Sequence, residues 1–323
     1  MLQYPLKKYA TGLDWFLKIN ILLFTYAYIY MHMQESAHSL RDMAFWPLRN
    51  ANWATGIAVL ALMPLNWSVE ALKWQGLVRN LHPVSFAFAL RAVLSGLPYA
   101  LFTPQRLGEI PGRALQLPHE KRIRGGALTT FGSFAQNMAT LLFGLAGIAL
   151  LFPLMHSFSS GMYVFFFFFF ILVVLALAAL MLYFQQLAHQ LARLQWLPAN
   201  WRKRLHLLHV PTQAARQAFI LSMLRYSIFM LQYALLLRFF GVSISLPHAL
   251  LAVASIYLTM SIMPSFILSD LGIRGSVAIF FLQHFTDALG SVLAAASALW
   301  LINLILPALA GSWFVWQSKI LRK

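Results

Sequence analysis

Phe102-Thr-Pro-Gln-Arg-Leu-Gly-Glu-Ile-Pro-Gly-Arg113 gathers two arginines, a glutamate, two prolines and two glycines directly after an apolar stretch. Arginine grips a phosphate through two parallel hydrogen bonds and keeps its charge at any relevant pH. A second polar break, Met263-Pro-Ser-Phe-Ile-Leu-Ser-Asp-Leu-Gly-Ile-Arg-Gly275, lies in the other half of the chain. Both hold Leu-Gly among ionisable residues, with Gly108 and Gly272 eight to ten residues after a proline, Pro98 and Pro264. Ionisable groups are expensive near a bilayer, and broken backbone survives there only inside protein or beside a cavity. Paired interruptions in two halves of a hydrophobic chain point to a transporter's binding site. The candidate head-group residues are therefore Arg106, Glu109, Arg113, Arg225, Asp270 and Arg274. Pro98, Pro104, Gly108, Pro264 and Gly272 shape the breaks that carry them.

The elements around these breaks read as membrane helices. Sixty per cent of the 323 residues are hydrophobic and 10% are charged, against roughly 25% charged in a soluble domain. The expected fold is all-α: a polytopic helical membrane protein of about seven to nine hydrophobic segments, with re-entrant or broken helices in two pseudo-repeated halves. Candidate segments fall near 15–33, 52–72, 84–102, 125–152, 161–184, 215–240, 247–268, 273–289 and 291–316. One transmembrane domain covers 1–323, with halves of roughly 1–184 and 215–323 joined by a basic amphipathic loop, 185–214. The six phenylalanines Phe165–Phe170 cover every face of a helix and read as lipid-compatible filler.

Lys plus Arg outnumber Asp plus Glu by 24 to 8. The bases sit in short stretches between apolar runs, as expected of loops facing an anionic cytoplasmic leaflet and not of a nucleic-acid binder. Lys7, Lys8, the 185–214 loop and the basic tail place both termini in the cytoplasm of a multi-pass plasma (bacterial inner) membrane protein. The basic stretch 103–124 stays on that side only if 84–102 enters the membrane and turns back, with Pro98 after Gly96 as the turning point. Arg225 falls near the middle of an apolar segment and needs a partner, for which Glu70, Glu109 and Asp270 are the carboxylates at hand. Glu70 and Lys73 are one turn apart and suited to pairing, while Gln136, Asn137 and Asn303 suit interhelical hydrogen bonds.

Enzyme signatures do not fit. There is no cysteine, so disulfide, thiol and Cys-ligated metal chemistry are excluded. His38-Ser-Leu-Arg-Asp42 is one residue short of an H-x4-D acyltransferase arrangement, and His284-Phe-Thr-Asp287 is two short. No zinc-protease, nucleophile-elbow or P-loop pattern occurs, and no cofactor or metal is expected.

The pattern Pro104-x-Arg106-x-Gly108-Glu109-x-x-x-Arg113, followed by Leu271-Gly-Ile-Arg274, resembles the transmembrane region of lysylphosphatidylglycerol synthases and their stand-alone flippase-like relatives, over approximately 15–316. That resemblance implies a helical fold with re-entrant helices and a role in moving phospholipid or another polar lipid between leaflets. It does not imply aminoacylation, which the synthases carry on a separate soluble domain. The chain has Gly275 where many relatives carry glutamate, and Asp270 where they carry glycine. The expected function is thus binding and flipping of anionic or polar lipids without synthase activity. The alternative is a membrane scaffold for a separate envelope-lipid enzyme. Such an enzyme, or a second copy of the chain, completes the list of candidate partners.

Overall fold

The computed structural model describes residues 52–101, 103–155, 160–193, 210–263 and 267–317. The candidate span 15–33, the two N-terminal lysines, Pro264 and the basic tail lie outside the described residues. Every regular element among the described residues is helical. They are α1 (Trp53–Val78), α2 (Phe86–Leu101), α3 (Glu109–Ala114), α4 (Arg122–Met155) and α5 (Ser160–Arg193). After residues 194–209, which are not described, come α6 (Thr212–Phe239), α7 (Leu246–Ile262), α8 (Ile267–Leu282), α9 (Leu289–Trp300) and α10 (Leu306–Gln317). A π-turn at Leu301–Ile305 joins the last two. It sits where it should: Pro307 lacks a backbone donor and its ring crowds the Asn303 carbonyl four residues back. Among the described residues, four stretches are long and apolar enough to cross a membrane: α1, His119–Pro153, α6 and Leu289–Gln317. The basic loop begins later than its sequence suggests, because α5 continues as helix to Arg193. Phe165, Phe167, Phe168 and Phe169 on α5 are exposed, as lipid-facing residues would be.

The two halves repeat one plan. A span of 26 residues (α1) or 28 (α6) is followed by a half-length helix of 16 (α2) or 17 (α7). Then come a break, a following helix of six residues (α3) or 16 (α8) and a long final span (α4 or α9–α10), while α5 has no counterpart among the described residues. Each half-length helix ends for the same reason. Thr103 and Met263 precede Pro104 and Pro264, and both are extended (φ −123°, ψ 140° and φ −74°, ψ 129°). A residue before proline is driven out of the helical region by the ring. The turning point is therefore later than Gly96 and Pro98 suggest. Pro98 lies inside α2 and does not turn the chain; the turn comes at Thr103-Pro104.

Contacts between the halves run antiparallel. Along α1 and α6, Trp53 meets Phe239, Gln232 Nε2 donates to the Val59 carbonyl, Arg225 bonds Asn66, and Lys73 bonds Ser222. As residue numbers rise in one helix they fall in the other. The half-length helices exchange partners: α2 packs on α10, and α7 packs on α4. Both contacts use glycine. A methyl on Gly144 of α4 would overlap the Leu258 side chain and lie 3.1 Å from the Ala254 carbonyl, while one on Gly311 of α10 would overlap the Leu94 carbonyl. Leu94 O is the acceptor that Pro98, four residues on, leaves free. The arrangement is an inverted repeat, the plan in which binding sites lie at the repeat interface.

α2 and α3 form a re-entrant hairpin. Trp74 near the end of α1 donates to Thr129 near the start of α4, at 3.0 Å, and Gln75 donates to the carbonyl of Val84, just before α2. The start of α2 and the start of α4 therefore lie at the same end of α1. Between them α3 runs back against α2, where a methyl on Gly112 would come 2.8 Å from Gly96 Cα. With no native cysteine to interfere, His82→Cys and His119→Cys should react with an impermeant thiol reagent from the same membrane face. Reaction from opposite faces would break the hairpin.

Candidate functional site

α1 carries Asn66, Glu70 and Lys73 at i, i+4 and i+7, so all three side chains share one face of an otherwise apolar helix. That face meets Ser222, Arg225 and Gln232 of α6. Glu70 is the hub. Its Oε1 accepts from Arg113 Nη1 at 2.6 Å, and its Oε2 meets Lys73 Nζ at 2.7 Å and Arg225 Nη1 at 3.0 Å. Arg113 spans two carboxylates, with Nη2 on Glu109 Oε2 at 2.6 Å. Glu109 Oε1 in turn holds Arg106 Nη2 at 2.5 Å.

An uncharged network extends from the hub. Arg225 Nε donates to Asn66 Oδ1 at 2.9 Å, Asn66 Nδ2 to Asn303 Oδ1 at 3.2 Å, and Asn303 Nδ2 to Gln232 Oε1 at 2.7 Å. Gln136 Oε1 on α4 accepts from Lys73 and from Arg225, each at 3.4 Å. The Arg225 guanidinium also lies over the rings of Trp67 and Phe229, at 5.1 and 5.5 Å. Burying this many polar atoms is tolerable only because they satisfy one another.

Beside the hub lies a cavity of about 580 Å³, bounded by α1, the first break, α4, α6, the end of α7, α8 and the π-turn. The two breaks meet at its edge, where Gln105 Nε2 donates to the Met263 carbonyl at 3.0 Å. Gln105 and Arg106 have φ of 52° and 58°, a left-handed pair of non-glycine residues. Such strained backbone persists only when its surroundings hold it, and it clusters at functional sites. Gly108 is required by a close approach, since a methyl there would overlap the Tyr99 carbonyl and meet Thr103 Oγ1 at 2.8 Å. The Thr103 hydroxyl, bonded to Gly108 N at 2.7 Å and to the Tyr99 carbonyl at 3.1 Å, pins the turn.

Of the six candidate head-group residues, Arg106, Glu109, Arg225 and Arg274 line this cavity. Arg113 does not line it; it sits behind Glu109, buried and held between two carboxylates. Asp270 belongs to α8, but its side chain is not among the described ones. Gly272 and Gly275 are buried in α8. Glu70 and Lys73, read from sequence as a simple pair, are the centre of the network and part of the cavity wall. Asn66, Ser222 and Gln232 join the network without being among the sequence candidates; their signal is the spacing, because each lies on the polar stripe of an apolar span.

The wall carries four cations, Lys73, Arg106, Arg225 and Arg274, against two carboxylates, Glu70 and Glu109. Arg113 adds a further cation behind them. Such an excess suits an anionic ligand. The buried Nε of Arg106 has no hydrogen-bond partner among the described residues. No group of three or more His, Cys, Asp or Glu capable of holding a metal occurs among the described residues. If Glu109 neutralises the buried Arg113, Glu109→Gln should lower stability by more than about 1 kcal/mol, while Glu120→Gln at an exposed turn should change it by less than about 0.5 kcal/mol. Melting curves of the two variants compare them directly, and equal small shifts would remove Glu109 from the network.

The family model described as Lysylphosphatidylglycerol synthase TM region matches residues 18–316. Nothing among curated proteins or solved structures matches the chain significantly.

Proposed function

We infer, for a chain that belongs to the lysylphosphatidylglycerol synthase TM-region family, that this membrane protein binds the head group of an anionic or polar lipid in its central cavity and moves it between leaflets. It does so without synthase activity of its own. The observation that carries the reading is the cavity itself: about 580 Å³, at the meeting point of two helix breaks, with more cations than carboxylates in its wall. A head group entering there exchanges hydration for arginine hydrogen bonds, while its acyl chains stay in lipid. Arg106 and Arg274, one from each break, are the first contacts for a phosphate. Arg225 follows them deeper in. Glu70 and Arg113 hold the other charged groups in place, Glu70 from the cavity wall and Arg113 from behind it.

The inverted repeat supplies a way to move. Two halves of like construction, joined across α1 and α6, can rock so that the same cavity opens to each side in turn. The Gln105 contact to Met263 is the junction that such rocking would break.

The test is leaflet-resolved movement of acyl-labelled phosphatidylglycerol in vesicles containing the purified protein. Wild type should exceed protein-free vesicles, and folded Arg274→Gln protein should be at least about tenfold slower, the equivalent of about 1.4 kcal/mol. Wild type no faster than empty vesicles would leave the scaffold reading, in which the polar cluster only stabilises the fold.

A further inference from the structure

We propose that the lipid carried in this cavity is a net-anionic phosphate ester bearing a hydroxyl-rich substituent, such as glycerol or a sugar, and not an amine-bearing lipid. The proposal rests on the reading of the cavity as a lipid site and names the head group it accepts. Two separate observations lead to it, one of charge and one of hydrogen-bond polarity.

The charge is the excess of cations in the wall. Adding the charge of Asp270 to Glu70 and Glu109 would still leave carboxylates outnumbered by Lys73, Arg106, Arg113, Arg225 and Arg274. Glu70 already shares its two oxygens among three cations. Glu109 is likewise matched in charge by two arginines, so a ligand ammonium would enter a wall that already carries excess positive charge. An amine on the head group would meet like charges and offset the attraction of its own phosphate.

The polarity lies in hydroxyls that share the cavity wall with the arginines. Ser133 and Thr140 of α4 and Ser261 of α7 line the cavity. Each donates its hydrogen to its own helix: Ser133 to the Thr129 carbonyl at 3.3 Å, Thr140 to Gln136 at 3.2 Å, and Ser261 to Leu258 at 2.7 Å. A hydroxyl has one hydrogen and two acceptor lone pairs. With the hydrogen engaged, what remains for a ligand is an acceptor. Acceptors repel phosphate oxygens and match donors, and the donors a lipid head group offers are ammonium or hydroxyl. The charge disfavours the first, so the wall suits the second.

The dimensions agree. Ser133, Asn137 and Thr140 stand at i, i+4 and i+7, a stripe about 10 Å long on one face of α4. Asn137, exposed between the two hydroxyls, adds an amide that both donates and accepts. Gln136, bonded to Lys73 and Arg225, joins this stripe to the cationic end. A phosphate at the arginines would therefore place its substituent along Ser133, Asn137 and Thr140.

The experiment compares four lipids with one acyl-chain label: phosphatidylglycerol, phosphatidate, phosphatidylethanolamine and lysyl-phosphatidylglycerol. In vesicles containing wild type, phosphatidylglycerol should move at least about tenfold faster than either amine-bearing lipid, the equivalent of about 1.4 kcal/mol, and faster than phosphatidate. The double variant Ser133→Ala, Thr140→Val should bring phosphatidylglycerol down to the rate of phosphatidate and leave phosphatidate unchanged. Amine-bearing lipids moving as fast as phosphatidylglycerol, or a double variant that slows every lipid alike, would overturn the proposal. Binding of the short-chain forms to purified protein reads the same order without transport. Ordered binding with no movement would sink the transport reading and keep this one; equal binding of all four, or binding of none, would overturn it.

Discussion

Glu70→Gln is expected to cost about 3–5 kcal/mol of stability, the range for removing one partner of a buried ion pair. The carboxylate at this position bonds three cations, and Lys73, Arg113 and Arg225 are all buried with it. Glutamine keeps the shape and one acceptor oxygen but removes the only charge the three share. Arg113 would keep Glu109, whereas Lys73 and Arg225 would keep only neutral partners such as Gln136. The expected readout is a large drop in melting temperature in detergent, with reduced yield of folded protein. Glu70→Asp, which keeps the charge one methylene short, should fall between glutamine and wild type. A glutamine variant that melts like wild type would mean that the hub is not buried as a network.

The second large effect belongs to the glycines that let the half-length helices cross the long spans. Gly311→Leu would force α10 away from the Leu94 carbonyl, and Gly144→Leu would force α4 away from Leu258 and Ala254. Over-packing of this kind costs about 1–3 kcal/mol or more, and here each change pushes on backbone that cannot move without its break. Gly161→Ala is the control, because open space surrounds that position. It should be neutral or slightly stabilising, by up to about 1 kcal/mol from helix propensity alone. If the two halves are alike, the Gly144 and Gly311 variants should lose comparable stability. Loss at only one would show that the repeat is not shared by the packing.

Much of this arrangement is legible in the chain. The two breaks announce themselves because Thr103-Pro104 and Met263-Pro264 interrupt apolar helices by a local steric rule that needs no tertiary knowledge. The re-entrant hairpin follows from charge, since Arg106, Arg113, Lys121, Arg122 and Arg124 favour one side of the membrane. A partner for Arg225 could be demanded from its position in an apolar segment, and Glu70 was among the carboxylates available. What was hidden is which side chains converge. Arg113 reads like a head-group ligand beside Arg106, yet one turn of α3 points it at Glu70, 43 residues earlier. Pro98 reads like a turning point, yet Gly311 of α10 closes against the carbonyl it frees and α2 continues. Both outcomes depend on contacts between distant segments, which a single sequence does not spell out.

If a lipid head group passes through the cavity between the two breaks, a bulky group fixed in the cavity wall should stop it. Met260 lines that cavity at the end of α7, and the chain has no cysteine of its own. Met260→Cys in reconstituted vesicles, assayed for phosphatidylglycerol movement before and after reaction with a bulky thiol reagent, tests that passage on one and the same protein. Full movement is expected before reaction, with most of it lost afterwards and slower labelling when phosphatidylglycerol is present. Complete labelling with unchanged movement would contradict passage through the cavity.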